Sequence, residues 1–190
     1  MNPITHLLAS WTLADGAGIF DRDRKIVTWA GVVPDVDGLP ILLDGFNALV
    51  LHRSTDWYVR FHHAATHGLP AALLTCALAV GFAKNKAKTA LFSLLSFHLH
   101  LLCDLVGSRG PDPDDIWPIS YLAPFTNRWT ISWSGQWPLN AWPNVAFTLT
   151  LLAVVFYRAY KVGYSPVSLF SKKADEAFVS TLRNRFAVKS

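Results

Sequence analysis

The stretch FHLHLLCD, residues 97–104, places two histidines and an aspartate inside the most apolar part of the chain. On an α-helix, residues four apart project from the same side, so His100 and Asp104 converge on one point. A neutral imidazole nitrogen and a carboxylate oxygen on one helix face form half of a metal site. A buried histidine hydrogen-bonded to an aspartate gives the same pattern, and this stretch alone leaves both interpretations open. His98 projects about 200° away from His100 and is expected to pack.

The composition favours a membrane-associated protein. Hydrophobic residues make up 52% of the 190 residues, charged residues make up 16%, and the mean hydropathy is +0.27. An average soluble domain contains about 25% charged residues. The longest apolar segments are 69–83, 89–106 and 145–157, and we expect the first and third to be short for a spanning helix, which takes about 20 residues. The second carries the histidines, and polar groups at membrane depth usually have a function.

The formal charge of +4 comes largely from the lysines in segment 84–88 and from the C-terminal tail. A basic turn between two apolar segments is typical of a cytoplasmic loop. The basic residues do not alternate with aromatic residues along one face, so no nucleic-acid partner is expected. The two cysteines, Cys76 and Cys103, lie in separate apolar runs and are predicted to be small core residues rather than a disulfide.

Two carboxylates stand one residue apart in the segment VPDVDGLP, residues 33–40. The prolines and Gly38 oppose a continuous helix, so Asp35 and Asp37 are expected on a turn or at a helix end. In such a turn, aspartates often accept backbone N–H groups. In a metal-binding turn, one carboxylate binds the ion and the other orients a ligand or a water. The sequence leaves these two interpretations open.

Three histidines fall within the six residues 62–67. If this segment is helical, His63 and His67 share a face, whereas His62 and His67 diverge by about 140°. Helical geometry therefore nominates His63 and His67 as metal ligands. His6 lies in the first turns of a predicted N-terminal helix, and by itself it does not indicate a ligand.

The histidines and aspartates that interrupt apolar sequence come from four separate segments and include no cysteine. Such a set suits zinc, manganese or iron in a hydrolytic site, including two-metal sites bridged by a carboxylate. A haem protein would need the histidines but not Asp35 or Asp104, so these aspartates count against a haem site.

The order of these motifs resembles the YdjM-type membrane-bound metal-dependent hydrolases, also described as LexA-binding inner-membrane hydrolases. The resemblance covers roughly residues 3–125 and rests on five pieces in order. They are THLL at 5–8, PDVD at 34–37, HHAATHGL at 62–69, HLLCD at 100–104, and Gly110 with WPIS at 117–120. The family is in turn similar to the zinc-dependent phospholipase C and P1-nuclease group, which are all-helical enzymes that hydrolyse phosphodiesters with a metal cluster.

The resemblance implies a divalent metal, most simply zinc, as one to three ions. It implies six ligands, with Asp104 as a candidate bridge between ions: His6, Asp35, His62, His67, His100 and Asp104. It gives Asp37 the role of orienting a ligand or positioning the attacking water. It also selects His62 where helical spacing selects His63.

One departure concerns the third motif. The family usually has arginine directly after the first histidine of that motif, and this chain has His63 there. If that arginine contacts an anionic substrate, another cation has to replace it here, and the candidates are Arg53, Arg60 and Arg109.

We therefore expect an all-α helical bundle with a metal site between core helices and several apolar helices in the membrane. Residues 1–165 are predicted to form one hydrolase-like domain. Residues 166–190 are predicted to form a basic amphipathic tail, which either lies on an anionic membrane surface or docks on its own domain. The resemblance places the chain in the inner membrane of a bacterium.

The expected function is hydrolysis of a phosphoester, either a phospholipid or another phosphodiester, by metal-activated water. Membrane lipid and a small-molecule or lipid phosphoester are the expected partners. The alternative is a non-catalytic, metal-stabilised membrane protein that serves as a scaffold or binds a regulator.

Overall fold

The computed structural model describes residues 1–62 and 66–186. Helix carries nearly all of the regular structure in these residues, which confirms the expected all-α class. The α-helices are α1 (Pro3–Gly16), α2 (Asp21–Ala30), α3 (Ile41–Val50), α4 (Trp57–Phe61), α5 (Leu69–Phe82), α6 (Lys86–Gly107), α7 (Trp142–Val162) and α8 (Lys172–Arg185). The remaining elements are the 3-10 helices Val33–Gly38 and Pro166–Leu169 and the short antiparallel strands β1 (Ile119–Ser120) and β2 (Thr130–Ile131).

Helix α6 is the central helix and packs against α1, α2 and α5. Its N-cap is Asn85, whose side chain accepts a hydrogen bond from the backbone N–H of Lys88. The buried face of α6 is largely polar and recurs every three or four residues: Thr89, Ser93, Ser96, His100 and Asp104. Its leucines at 91, 95 and 102 are exposed. A helix with small polar residues inside and leucine outside is typical of a membrane bundle, in which lipid covers the apolar face.

Two helices, α6 and α7, are long and apolar enough to cross a membrane. A third span is possible if α2 and the segment Val33–Val50, which are bent by 50°, act together. The expectation of a short third apolar segment is wrong, because α7 has 21 residues. The helix starts earlier than the apolar run, since a proline is tolerated in its first turn, and it ends only at Gly163, whose φ is +84°.

Helices α1, α2 and α6 approach closely at Gly31, directly after α2. A Cβ at this position would collide with the hydroxyl groups of Ser10 on α1 and Ser96 on α6. Glycine therefore lets the end of α2 lie between the other two helices. This contact fixes the backbone of α2 against the His100 turn of α6.

Helix α7 packs on α1 through a cluster of buried apolar side chains: Leu8, Ala9, Trp11, Leu151 and Val155. Its C-terminal end packs on the tail helix α8, where Val179 and Leu182 are buried against Ala159. The basic amphipathic tail helix therefore docks on its own chain. Phe186 at its end remains exposed.

Polar contacts tie the two ends of the bundle. At one end, the carboxylate of Asp23 accepts hydrogen bonds from the backbone N–H groups of Lys84 and Asn85 between α5 and α6. At the other end, Asn144 on α7 donates to the carbonyls of Gly107 and Leu139 and accepts a hydrogen bond from the indole N–H of Trp137. The loop from 108 to 141 is thereby fastened over the end of α6 that carries Asp104.

Candidate metal centre

The structure brings the seven predicted site residues together from four segments. His6 comes from α1, and Asp35 and Asp37 come from the first 3-10 helix. His62 follows α4, and His67 precedes α5. His100 and Asp104 come from α6. His63, which helical spacing had nominated, lies outside the described residues.

Asp104 is the centre of the cluster, and its side chain is only 4% exposed. One carboxylate oxygen, Oδ1, lies 3.1 Å from Nε2 of His6. The other, Oδ2, lies 2.9 Å from Nε2 of His100 and 3.6 Å from Nε2 of His67. The helical spacing of four thus brings His100 and Asp104 together, and Oδ1 of Asp104 faces one histidine whereas Oδ2 faces two. Asp104 would therefore be the carboxylate that bound ions share.

Asp35 extends the cluster on the side of His100. Its Oδ1 lies 3.7 Å from Nε2 of His100. Within the described residues, the donors form three overlapping groups whose atoms lie within 4.8 Å of one another. The groups are His6, His100 and Asp104; Asp35, His67 and His100; and Asp37, His62 and His67.

Hydrogen bonds that Nδ1–H donates orient three of the histidine rings. Nδ1 of His100 donates to the carbonyl oxygen of Gly31 at 2.8 Å. A carbonyl only accepts, so the hydrogen of a neutral His100 lies on Nδ1 and the lone pair of Nε2 points towards Asp104. Asp37 accepts from Nδ1 of His62 and from Nδ1 of His67, each at 3.1 Å. Carboxylates and carbonyls hold metal-binding histidines in this way in known metal sites.

Asp37 also explains why His62 belongs to the cluster. Helix α4 ends at Phe61, and the backbone of His62 is extended, with ψ at 130°. The helical relation between residues 62 and 67 therefore does not apply, and both side chains reach the same carboxylate. The backbone N–H of Thr66 donates to Asp37 at 3.3 Å, and its hydroxyl donates to the carbonyl of Pro34 at 2.7 Å.

The donor set fits a divalent cation. Nε2 of His6, Nε2 of His100 and Oδ2 of Asp35 are buried and make no hydrogen bond within the described residues. The rings of His6 and His100 stack with their centroids 3.6 Å apart, and both Nε2 atoms lie within 3.1 Å of the Asp104 carboxylate. Oδ2 of Asp35 has no hydrogen-bond partner within the described residues, and leaving a buried polar group without one costs about 1–3 kcal/mol. A cation shared by these atoms would remove that cost, and imidazole with carboxylate is a common ligand set for zinc.

The electrostatics of the cluster also favour a cation. Burial opposes the charged form of His67, but its hydrogen bonds with Asp104 and Asp37 outweigh burial and raise the pKa of His67 to about 9. The amino group of Met1 contacts Asp104 and lies 2.6 Å from the hydroxyl of Ser108. Three carboxylates in a small volume therefore attract positive charge, which is the condition for binding a divalent ion.

A cavity of about 40 Å³ lies beside Asp35 and Asp104. Its wall includes Tyr58 and Trp117, which also line a larger pocket of about 420 Å³ that contains His62. The Tyr58 ring stacks on the His62 ring with the centroids 4.6 Å apart, and the Trp117 ring packs on His62 edge-on with the centroids 5.5 Å apart. The aromatic residues thus form a mouth that leads from the surface to the cluster.

The sequence matches the model of the family described as YdjM inner membrane protein over residues 1–172. The chain belongs to this family. The comparison with curated proteins gives no match, and neither does the comparison with solved structures. With its apolar helices, this YdjM family member is an inner membrane protein.

The structure distinguishes the three arginines considered as substitutes for the family arginine. Arg109 lines a pocket of about 390 Å³ whose wall also includes Tyr58, Ser108 and Trp117 from the mouth of the cluster. Its Nε is buried and makes no hydrogen bond within the described residues. Arg60 instead pairs with Asp56 at 2.8 Å on the surface, and Arg53 is exposed. Arg109 is therefore the arginine at the mouth of the metal centre.

Several residues of this YdjM site were not found by sequence reasoning. Gly31 accepts the hydrogen bond of His100 through its backbone carbonyl oxygen, which every residue type has, so the sequence does not indicate this contact. Thr66 and Ser108 contact the carboxylates through single hydroxyl or N–H groups, as many surface residues do. Tyr58 could have been suspected, because it lies four residues before His62 and aromatic residues often line pockets.

Proposed function

We propose that this chain is a membrane-bound metal-dependent hydrolase that acts on a phosphoester. The metal is zinc, as one to three ions, and the residues that would hold it are those of the resemblance: His6, Asp35, His62, His67, His100 and Asp104. The observation that carries the proposal is the convergence on Asp104 of buried histidine nitrogens from three segments, with Asp35 of a fourth segment beside His100. A bound divalent ion supplies Lewis-acid activation of water and of a phosphoryl oxygen.

Asp37 has an orienting role in this proposal. Its two oxygens accept hydrogen bonds from His62, from His67 and from the backbone N–H of Thr66. A carboxylate with these partners holds two histidines in the tautomer that exposes Nε2. Of the two roles that the resemblance gives Asp37, the hydrogen bonds support orientation of ligands rather than positioning of water.

Arg109 provides the positive charge for an anionic substrate. It lies at the mouth, where Tyr58 and Trp117 border both the metal centre and the arginine pocket. A guanidinium offers a planar fork of N–H donors that matches a phosphate. A phosphoester bound between Arg109 and a metal ion held at Asp104 would have its negative charge neutralised from two sides.

The depth of the site supports a substrate at the level of lipid headgroups. Asp104 is 18 residues beyond Lys86 on the continuous helix α6, which corresponds to a rise of about 27 Å. If the lysine loop 84–88 is cytoplasmic, the metal centre lies near the periplasmic face. A lipid phosphoester of the outer leaflet would then present its phosphate at the mouth.

The test is hydrolysis of bis(p-nitrophenyl) phosphate and of a phospholipid by the purified full chain loaded with zinc. The wild-type chain is expected to release product. The His100→Ala variant is expected to hydrolyse the substrates at least about 100-fold more slowly, because His100 belongs to two of the three donor groups of the candidate metal centre. The His98→Ala variant is the matched control, because His98 lies on the same helix but bonds to Leu94 and Tyr121. A metal-loaded wild-type chain with no turnover on either substrate would contradict the proposal.

A second candidate function is a non-catalytic, metal-stabilised membrane scaffold. The observation that favours it is the small size of the cavity at the centre, about 40 Å³. Structural zinc sites are closed, whereas catalytic sites keep a position open to substrate. Stoichiometric metal combined with no hydrolysis of either substrate would select this candidate.

A further inference from the structure

A groove on the outer side of α2 and α5 takes no part in the metal centre. Its volume is about 500 Å³, and its walls are almost entirely apolar. Helix α2 contributes Ile26, Trp29 and Ala30. Helix α5 contributes the larger share of the opposite wall: Ala71, Leu74, Thr75, Leu78, Ala79 and Phe82.

The groove has two different ends, because α2 and α5 run in opposite directions. Asp23, in the first turn of α2, accepts hydrogen bonds from the N–H groups of Lys84 and Asn85, which follow α5. The far end is lined by Val33, beyond α2, and by Thr66, before α5. The groove thus extends along the length of α2 from the lysine loop 84–88 towards the metal centre.

Two basic side chains, Arg22 and Lys25, line the groove at the lysine-loop end. They lie three residues apart on α2, are exposed, and form no ion pair within the described residues. The neighbouring Asp23 is buried, and both of its oxygens are taken by backbone N–H groups. The apolar groove therefore begins at a basic patch whose charge is available to an anion.

We propose that this groove binds one anionic phospholipid of the cytoplasmic leaflet. The headgroup phosphate contacts Arg22 and Lys25, and one acyl chain lies against Ile26, Trp29 and Leu78. The ten residues of α2 span about 15 Å, which is half of a hydrocarbon core of about 30 Å and so the depth of one leaflet. Basic pockets beside membrane helices on the cytoplasmic side are known to bind anionic headgroups.

The positive charges of Arg22 and Lys25 distinguish an anionic lipid from other molecules that would fill an apolar groove. A helix from another protein or a second copy of this chain would cover the apolar walls but would not require an anion at Arg22 and Lys25. A zwitterionic lipid would fill the groove without a net negative charge at the basic end. Selectivity for anionic over zwitterionic lipid is therefore the signature of the proposed site.

The test is native mass spectrometry of the purified full chain in detergent, titrated with dioleoyl phosphatidylglycerol or dioleoyl phosphatidylcholine. We expect tighter retention of phosphatidylglycerol by the wild-type chain. The Arg22→Gln/Lys25→Gln variant is expected to bind it about 30-fold more weakly. The Lys172→Gln/Lys173→Gln variant removes the same charge from exposed positions on α8 and is expected to bind like the wild type.

A Thr75→Trp variant keeps the basic patch but fills the groove, and it is expected to weaken retention of both lipids. Equal retention of the two lipids by the wild-type chain would overturn the proposal. So would an equal loss in the α8 variant, or undiminished retention in Thr75→Trp. Dimers that form without bound lipid and disappear in Thr75→Trp would instead assign the groove to a second copy. The comparison of these variants with the wild type isolates the groove from the proposed substrate site, because Arg22, Lys25 and Thr75 line the groove and are not among the candidate metal ligands.

Discussion

At the scale of single residues, Asp37 accepts hydrogen bonds from two histidines of the candidate metal centre. It bonds to Nδ1 of His62 and to Nδ1 of His67, so that Nε2 of His67 points towards Asp104. Asp37 thus connects the 3-10 helix Val33–Gly38 to His62 and to His67. We propose that Asp37 orients the two histidines, so that its loss would lower the metal affinity without removing a ligand.

The Asp37→Asn variant is therefore expected to bind zinc 10- to 100-fold more weakly than the wild type. The amide keeps the shape of the side chain but offers only one acceptor oxygen for two ring N–H groups. Competition with a zinc-binding dye measures the affinity. Asp112→Asn, at an exposed loop position, is the control and should leave it unchanged. Equal affinities for both variants would show that Asp37 does not orient ligands.

Arg109 gives a second prediction at this scale. Replacing it with alanine removes a positive charge from the mouth but no donor atom from the cluster. We expect KM for bis(p-nitrophenyl) phosphate to rise about tenfold, in keeping with the loss of one charge-assisted hydrogen bond, while the zinc content stays at the wild-type level. Arg53→Ala is the matched control. A loss of zinc in Arg109→Ala would show that Arg109 maintains the structure of the metal centre and does not act only in substrate binding.

The seven residues predicted for the site lie close together, whereas their arrangement could be predicted only in part. His100 and Asp104 could be paired because one helix carries both and the spacing of four brings them together. The choice between His62 and His63 could not be made from helical spacing, because α4 ends at Phe61. It was made from the order of motifs. The bond from His100 to Gly31 could not be predicted, since it uses a backbone carbonyl 69 residues away.

At the scale of elements, α1, α2 and α6 approach closely at Gly31, beside the His100 turn of the candidate metal centre. Ser10 and Ser96 leave no room for a side chain there. The same residue accepts the hydrogen bond that orients His100. A displacement of α2 would therefore affect both the packing of the helices and the orientation of a ligand.

The Gly31→Ala variant tests this contact. Overpacking of a tight contact costs about 1–3 kcal/mol, so we expect a lower midpoint of thermal unfolding in detergent and a reduced zinc content. Gly16→Ala is the control, because a Cβ at that position meets no heavy atom within 4 Å. An unchanged midpoint for Gly31→Ala would mean that α2 is free to move away from α1 and α6.

Element boundaries were only partly predictable. The apolar run 145–157 predicted a short helix, whereas α7 has 21 residues. The helix extends beyond the apolar run at both ends. Pro143 fits its first turn, and Gly163 supplies the left-handed residue that follows its last turn. For the tail, the pattern left membrane surface and self-docking open. The burial of Val179 and Leu182 against Ala159 shows docking.

At the scale of the whole molecule, the lysine loop 84–88 and the metal centre lie at opposite ends of α6. Because basic loops favour the cytoplasmic side, we expect the loop inside and the segment around Asp112 outside. In a background without Cys76 and Cys103, Lys86→Cys should react with an impermeant maleimide only in inverted vesicles. Asp112→Cys should react only in right-side-out vesicles, and the reverse labelling would contradict the periplasmic position of the metal centre.

We expect the buried cluster around Asp104 to hold a metal ion. Elemental analysis of the purified full chain measures this directly, with the wild type compared with His100→Ala, Asp104→Ala and the control His98→Ala. At least one zinc per chain is expected in the wild type and in His98→Ala, and a large loss of zinc is expected in the other two variants. Near-zero metal in all four proteins would contradict it and would leave the cluster as a metal-free network of histidines, carboxylates and the amino group of Met1.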